Sequence, residues 1–138
     1  MKLRNILSFT HSIILSLAMV ACGSADKDQE KKIAEEVTAM HDIVMPKMDE
    51  IMAAQRDIKA AVEKDSTLKA TADSLNTQLS AADDAMMEWM QKYNPNYYNE
   101  GHTHAEVLSY YEAERKKIEE VQKQMESGIA ATKQFLKK

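Results

Sequence analysis

The sequence has one cysteine, two prolines and three glycines in 138 residues, and each scarcity excludes a class of protein. One cysteine closes no disulfide within the chain and builds no thiolate metal cage. Three glycines form no glycine-rich phosphate loop, and neither GxSxG nor HExxH occurs, nor the paired ExxH of di-iron helical proteins. With no such catalytic constellation, an enzyme is not expected. Tryptophan occurs once, and aromatic residues make up 6% of the chain. The balance of 18 Lys and Arg against 22 Asp and Glu is acidic, whereas nucleic-acid partners call for a basic surface. No apolar run reaches the roughly 20 residues that a membrane-spanning helix needs. What is abundant instead is Ala, Glu, Lys, Gln and Met, the composition of long helices with few breaks.

The first 21 residues read as a secretory targeting segment to be left out of fold reasoning. Lys2 and Arg4 supply a short positive start, and the apolar run 13–21 is broken only by Ser16. Cys22 follows directly on Met19, Val20 and Ala21. This resembles the lipobox of bacterial lipoproteins, in which a small residue precedes a cysteine that is acylated before cleavage. Met19 stands where leucine is usual. Ordinary cleavage, the rival reading, needs small residues at the first and third positions before the cut, and Met19 is not small. The expected organisation is a signal peptide over 1–21, a lipidated Cys22 with a polar tether over 22–28, and a helical domain over 29–138. Losing Lys2 and Arg4 from the 18 basic residues leaves 16 against 22 acids, a net charge of −6 for the mature chain. Acyl chains such as palmitate, not a basic patch, would then hold the protein at a membrane.

Apolar periodicity predicts three helices. The first places Ile33, Val37, Met40, Val44, Met48, Ile51, Ile58 and Val62 on one stripe. Pro46 interrupts it, removing a backbone donor and disfavouring a helical Met45, but the stripe resumes in phase, so a kink is expected near Pro46. The second stripe is Leu68, Ala72, Leu75, Leu79, Ala82, Met86, Met90 and Tyr93. The third opens at Thr103 and Glu106, which have capping-box spacing, and continues through Val107, Leu108, Tyr111, Ile118, Val121, Met125, Ile129, Phe135 and Leu136. Short connections make neighbours antiparallel, so the expected fold is an all-α, up-down-up antiparallel three-helix bundle with long helices. The charged third helix suits a monomer or a dimer alike.

Methionine is concentrated in "AMHDIVMPKMDEIM" (39–52) and "AMMEWM" (85–90). Antiparallel pairing about a turn near residue 64 brings both stretches to one layer, with Trp89, Tyr110 and Tyr111. One reading is core packing around the kink, since methionine fills irregular space. A second is a soft-metal site: thioethers and imidazole are ligands for Cu(I), and His41, Met45, Met48 and Met52 recur at helical spacing, with Met87 and Met90 to be added from the second helix. A third is a face that accommodates varied apolar partners, which requires Met45, Met52 and Met87 to be exposed. His102 and His104 form a His-x-His pair of low specificity. Tyr97 and Tyr98 lie in the loop 94–103, at the end from which the lipid anchor would extend. They are placed either against the membrane surface or a membrane partner, or folded back over the end of the helices.

The two methionine motifs, followed by the charged stretch "YYEAERKKIEEVQ", resemble a group of small helical lipoproteins of Gram-negative bacteria, often labelled "viral A-type inclusion protein". The resemblance implies a lipid anchor and a helical domain, and no activity. With Gly23 and Ser24 after the cysteine instead of an aspartate, it also implies the outer membrane. The sequence therefore reads as a lipid-anchored envelope protein that binds or scaffolds, partnered by the membrane and an envelope protein and not by nucleic acid. The alternative is a periplasmic Cu(I)-buffering lipoprotein.

Overall fold

The computed structural model describes residues 18–137, with side chains from residue 23 onward; the segment 1–17 and the side chain of Cys22 lie outside the described residues, and with them most of the expected signal peptide and the lipidation site. The described chain is all-helical, with three long helices, the first of them bent. Its two arms are α1 (Ala18–Val44) and α2 (Pro46–Lys64), and they are followed by α3 (Lys69–Lys92) and α4 (His104–Phe135). Single 3-10 turns occupy Ser66–Leu68 and Tyr97–Asn99.

The bend sits at Pro46, the first residue of α2. Proline has no N–H, so the helical bond to the Asp42 carbonyl is missing. Met45 nevertheless keeps helical dihedrals, φ −50° and ψ −44°, against the usual exclusion of that region for a residue before proline. Its N–H still donates to the His41 carbonyl at 2.9 Å, and the Met48 N–H takes a tighter bond to the Met45 carbonyl at 3.1 Å. Burial explains why the helix bends and does not break: Val44 and Ile51, on either side of the proline, face one core.

Residues 23–28, expected as a polar tether, are helical and belong to α1. Contacts to the loop 94–103 and the first residue of α4 hold them there. Lys27 Nζ donates to Glu30 at 2.7 Å and to the Tyr98 carbonyl at 3.1 Å, and His104 Nδ1 lies 3.0 Å from the other Glu30 oxygen.

The first reversal uses Asp65, in an extended conformation, whose carboxylate accepts from the Thr67 N–H at 2.9 Å and from its hydroxyl at 2.6 Å. This local turn replaces the helical bonds that end at Lys64. The start of α4 carries the expected capping box: the Glu106 N–H donates to Thr103 Oγ1, and the Thr103 N–H donates to Glu106 Oε2 at 2.8 Å.

The core follows the expected stripes, with additions on α3 and α4, except that Leu136, past the end of α4, is exposed. Val37, Val44, Ile51 and Ile58 are buried from the bent helix, and Leu75, Leu79, Ala82 and Met86 from α3. Trp89 is buried beside Met86, while Met90 and Tyr93 are half-buried. On α4 the buried set runs Val107, Tyr111, Glu114, Ile118, Val121, Met125, Gly128, Thr132 and Phe135 at steps of three and four, with Ile129 buried beside Gly128. It therefore includes a glutamate, a glycine and a threonine among its apolar residues.

Cross-helix pairs locate the helices against one another. Thr38 meets Tyr93 and Gln55 meets Ser80, so partner numbers fall along α3 as they rise along α1 and α2. Gln78 likewise meets Ser127, while Lys47 meets Glu126 and Glu50 meets Lys133.

Candidate functional site

The methionine-rich stretches do share one seam, and its geometry follows from one hydrogen bond. Gln55 donates to Ser80 at 3.1 Å, marking the faces on which α2 and α3 meet. Residues seven apart share a helix face, so Met48 lies on the face of Gln55 and Met87 on the face of Ser80; Met52 lies one turn from Gln55. The height is fixed by His41, whose ring stacks on Trp89 at 5.7 Å. Met87 is therefore level with the bend, beside the turn that carries Met45 and Met48. Met45, Met48 and Met90 are half-buried against the core. Met52 and Met87 are exposed, at 48% and 42%. Met40 is also half-buried against the core, and Met86 and Met125 are fully buried.

His41 Nδ1 lies 3.0 Å from the Asp42 carboxylate, which leaves Nε2 as the ring atom that can take a ligand. Among the described residues no three His, Cys, Asp or Glu side chains converge as a metal ion requires. A soft-ion site at this seam is accordingly a matter of His41 and thioether sulfurs alone.

Next to the seam the aromatic residues form a continuous stack. Trp89 stacks on Tyr93 at 4.5 Å, Tyr93 meets Tyr111 edge-on at 6.4 Å, and Tyr97 lies between His102 at 3.9 Å and Tyr110 at 4.1 Å. The loop 94–103 thus folds back over the ends of α3 and α4. Tyr110 Oη accepts from the Asn94 N–H at 2.7 Å. Tyr111 Oη reaches the Pro95 carbonyl at 3.0 Å and accepts from the Tyr98 N–H at 3.4 Å. Burial pushes the Tyr111 phenol up to about 12, since no charge can form there without leaving water. Burial also raises Tyr93 and Tyr110, and the nearby charge of Glu114 adds to both shifts.

The expectations for the loop divide. Its position near the start of α1 is as expected, fixed by the Lys27 bond to the Tyr98 carbonyl. Of the two places weighed for Tyr97 and Tyr98, the structure has both half-buried and packed against the core, with Tyr97 within the ring stack. His102 and His104 part company: the first stacks on Tyr97, and the second pairs with Glu30.

Two buried acids were not singled out by sequence reasoning. Glu30 is almost fully buried and engages Lys27 and His104. Burial pushes its carboxyl up, but the hydrogen bonds and charges of those two partners override that and hold it below the ordinary value. Glu114 is buried on α4, with Lys117 Nζ at 2.7 Å on one oxygen. A signal for it was present: the α4 stripe jumps seven residues from Tyr111 to Ile118, and position 114 falls where the missing inward residue belongs.

The chain matches no protein-family model, no curated protein and no solved structure.

Proposed function

We propose that this protein is a lipid-anchored, non-catalytic component of the cell envelope, an up-down-up three-helix bundle that binds a protein partner along the methionine seam at its bend. The opposed and matched senses of the cross-helix pairs support the bundle. The observation that carries the binding role is the exposure of Met52 and Met87 on one seam, continuous with half-buried Met45 and Met48. Unbranched, polarizable thioethers at a surface adapt their shape to an apolar partner at little cost. The lipobox-like Cys22 supports the anchor, and no helix among the described residues is long and apolar enough to cross a membrane.

A photo-crosslinking residue at position 87 tests the binding role, with one at exposed Lys116 as control. A discrete adduct from position 87 that disappears with Met52→Lys supports the reading. Equal adducts from both positions, or an adduct indifferent to Met52→Lys, overturn it. Cys22→Ala tests the anchor, and it should release the protein from the membrane fraction.

One observation favours a second reading. The Asp42 carboxylate on His41 Nδ1 is the outer-shell arrangement that orients imidazole toward a metal through Nε2. An anaerobic Cu(I) titration against a chromophoric chelator decides it. Tight binding lost in His41→Ala and in Met45→Leu/Met52→Leu would make the seam a Cu(I) site, and no binding would remove that reading.

A further inference from the structure

The methionine seam carries a pattern of charge as well as of thioethers. Gln55 meets Ser80 at 3.1 Å, and partner numbers fall along α3 as they rise along α2. Met52 stands three residues before Gln55 and Asp83 three after Ser80, so the two lie level across the seam. Asp49, one turn from Met52, and Asp84, one turn from Ser80, stand on the outer sides of the two helices. Asp49 and Asp84 are exposed, and Asp83 is half-buried. Among the described residues none of these three acids meets a basic side chain. Lys47 is engaged with Glu126 and Lys92 with Glu88, which leaves Arg56, one turn beyond Met52, as the base at hand.

The architecture narrows how a partner can lie on this seam. The described residues contain no strand, so there is no sheet edge for a partner strand to extend. A proline-rich segment docks on exposed aromatic rings, and the indole of Trp89 is buried. The seam offers instead a row of thioethers, Met45, Met48 and Met52 at steps of three and four, with Met87 alongside from α3. That row rises about 10 Å, two turns of helix. A partner helix with apolar residues at i, i+4 and i+7 matches it. Three unpaired carboxylates beside the row, against one guanidinium, select lysine or arginine on the flanks of that helix.

We infer that the partner of the methionine seam is a basic amphipathic helix, its apolar face against Met48, Met52 and Met87 and its cationic flanks toward Asp49, Asp83 and Asp84. The inference rests on the binding role proposed above and names the class of partner that fills it. The thioethers supply an adaptable contact, and the exposed charges choose between partners more than they add affinity.

The full chain is titrated calorimetrically with a leucine–lysine peptide of helical spacing, about four turns long. Beside it run the same peptide with glutamate for lysine, and one of the same leucine–lysine composition in strict alternation. The peptides carry no methionine, so peroxide oxidation of Met52 and Met87, read by peptide mass mapping, reports where they bind. The helical leucine–lysine peptide should bind saturably and slow the oxidation of both methionines, and the other two should not. Asp49→Asn/Asp83→Asn/Asp84→Asn should weaken it about eightfold, roughly twofold for each exposed pair. Asp28→Asn/Asp57→Asn/Glu119→Gln removes the same charge from exposed positions away from the seam and should change binding by no more than about twofold. Equal protection by the glutamate peptide overturns the basic partner and leaves the seam as a binding surface. Equal protection by the alternating peptide overturns the helix. Binding that leaves Met52 and Met87 unprotected, or that falls equally in both variants, is attraction to the acidic chain as a whole and overturns the inference. If no peptide binds, the basic helix is overturned, while the crosslink from position 87 still reads the seam on its own.

Discussion

Replacing Gly128 with alanine sets two effects of known size against each other. Gly128 lies in the interior of α4, where glycine costs a helix about 1 kcal/mol relative to alanine. By propensity alone the substitution stabilises. A Cβ built at this position, however, lies 2.9 Å from Leu79 Cδ2 and 3.6 Å from Leu79 Cγ, where ordinary contacts begin at 3.4 Å. Leu79 is fully buried, so its methyl group cannot swing into water to make room. Forcing one extra carbon into such a contact costs about 1–3 kcal/mol. The net expectation is a loss of about 1 kcal/mol, read as a lower midpoint in urea unfolding followed by far-UV circular dichroism. The decisive comparison uses Leu79→Ala as a second background. That change alone should cost about 2–5 kcal/mol through the cavity it leaves. It also removes the atoms in the way, so Gly128→Ala should then stabilise by about 1 kcal/mol. The coupling between the two substitutions is therefore on the order of 2 kcal/mol, well outside the error for independent sites. If Gly128→Ala shifts stability equally in both backgrounds, α3 and α4 do not meet at Leu79 and Gly128, and the packing argument fails.

Glu30 is held below its ordinary value of 4.5, because Lys27 and His104 outweigh the effect of its burial. A lowered carboxyl contributes stability that is present above pH about 4.5 and is lost as pH falls through its folded value, so Glu30→Gln should flatten the acid limb of the stability–pH curve; an unchanged limb refutes the pairing. Tyr111, raised to about 12 by burial, contributes in the opposite sense. Its share is intact below pH about 10 and is lost as pH rises through 12, so Tyr111→Phe should delete the latest-ionising phenol from an alkaline absorbance titration and speed amide exchange at Tyr98. Under mild peroxide, exposed Met52 and Met87 should oxidise well before buried Met86 and Met125, as read by peptide mass mapping. Oxidation of Met86 at the rate of Met52 would mean that the seam and the core are not distinct.

The helices were legible because their signals are local or periodic. The Thr103 and Glu106 box is a four-residue pattern, and the steps of three, four and seven along Val107, Tyr111, Ile118, Val121 and Met125 need no knowledge of the partner helices. The bend was legible at Pro46, but the conformation of Met45 was not, since burial of Val44 and Ile51 on both sides outweighs the local preference. The height of the methionine layer followed from loop position alone, and the His41 and Trp89 stack agrees with it. Depth was harder. Trp89 falls outside the apolar stripe of the second helix, yet a large indole reaches inward from a flank and is buried. The segment 23–28 reads as a tether because its helix rests on the Lys27 hydrogen bond to the Tyr98 carbonyl and on the approach of His104 to Asp26, dozens of residues away. Glu114 escaped for a different reason: a stripe traced through apolar letters passes over a charged residue at an inward position.

Glu114 also shows where burial and stability pull apart. Its unpaired oxygen costs the fold about 1–3 kcal/mol, the penalty for a buried acceptor with no donor. Its partner Lys117 is 60% exposed, so breaking their pair strands no charge in the interior. Leucine at 114 would continue the run from Tyr111 to Ile118 and face the apolar lining of Ala85 and Val121. On packing grounds Glu114→Leu should therefore raise the unfolding midpoint, by about 1–3 kcal/mol in stability. A glutamate here makes the α3–α4 contact weaker than it needs to be, because one of its oxygens is buried without a partner. A destabilised Glu114→Leu would show that the carboxylate is satisfied in solution by water or by Lys117 and carries no such penalty. A stabilised variant would show the opposite: a buried carboxylate whose second oxygen costs the fold more than its pair with Lys117 returns.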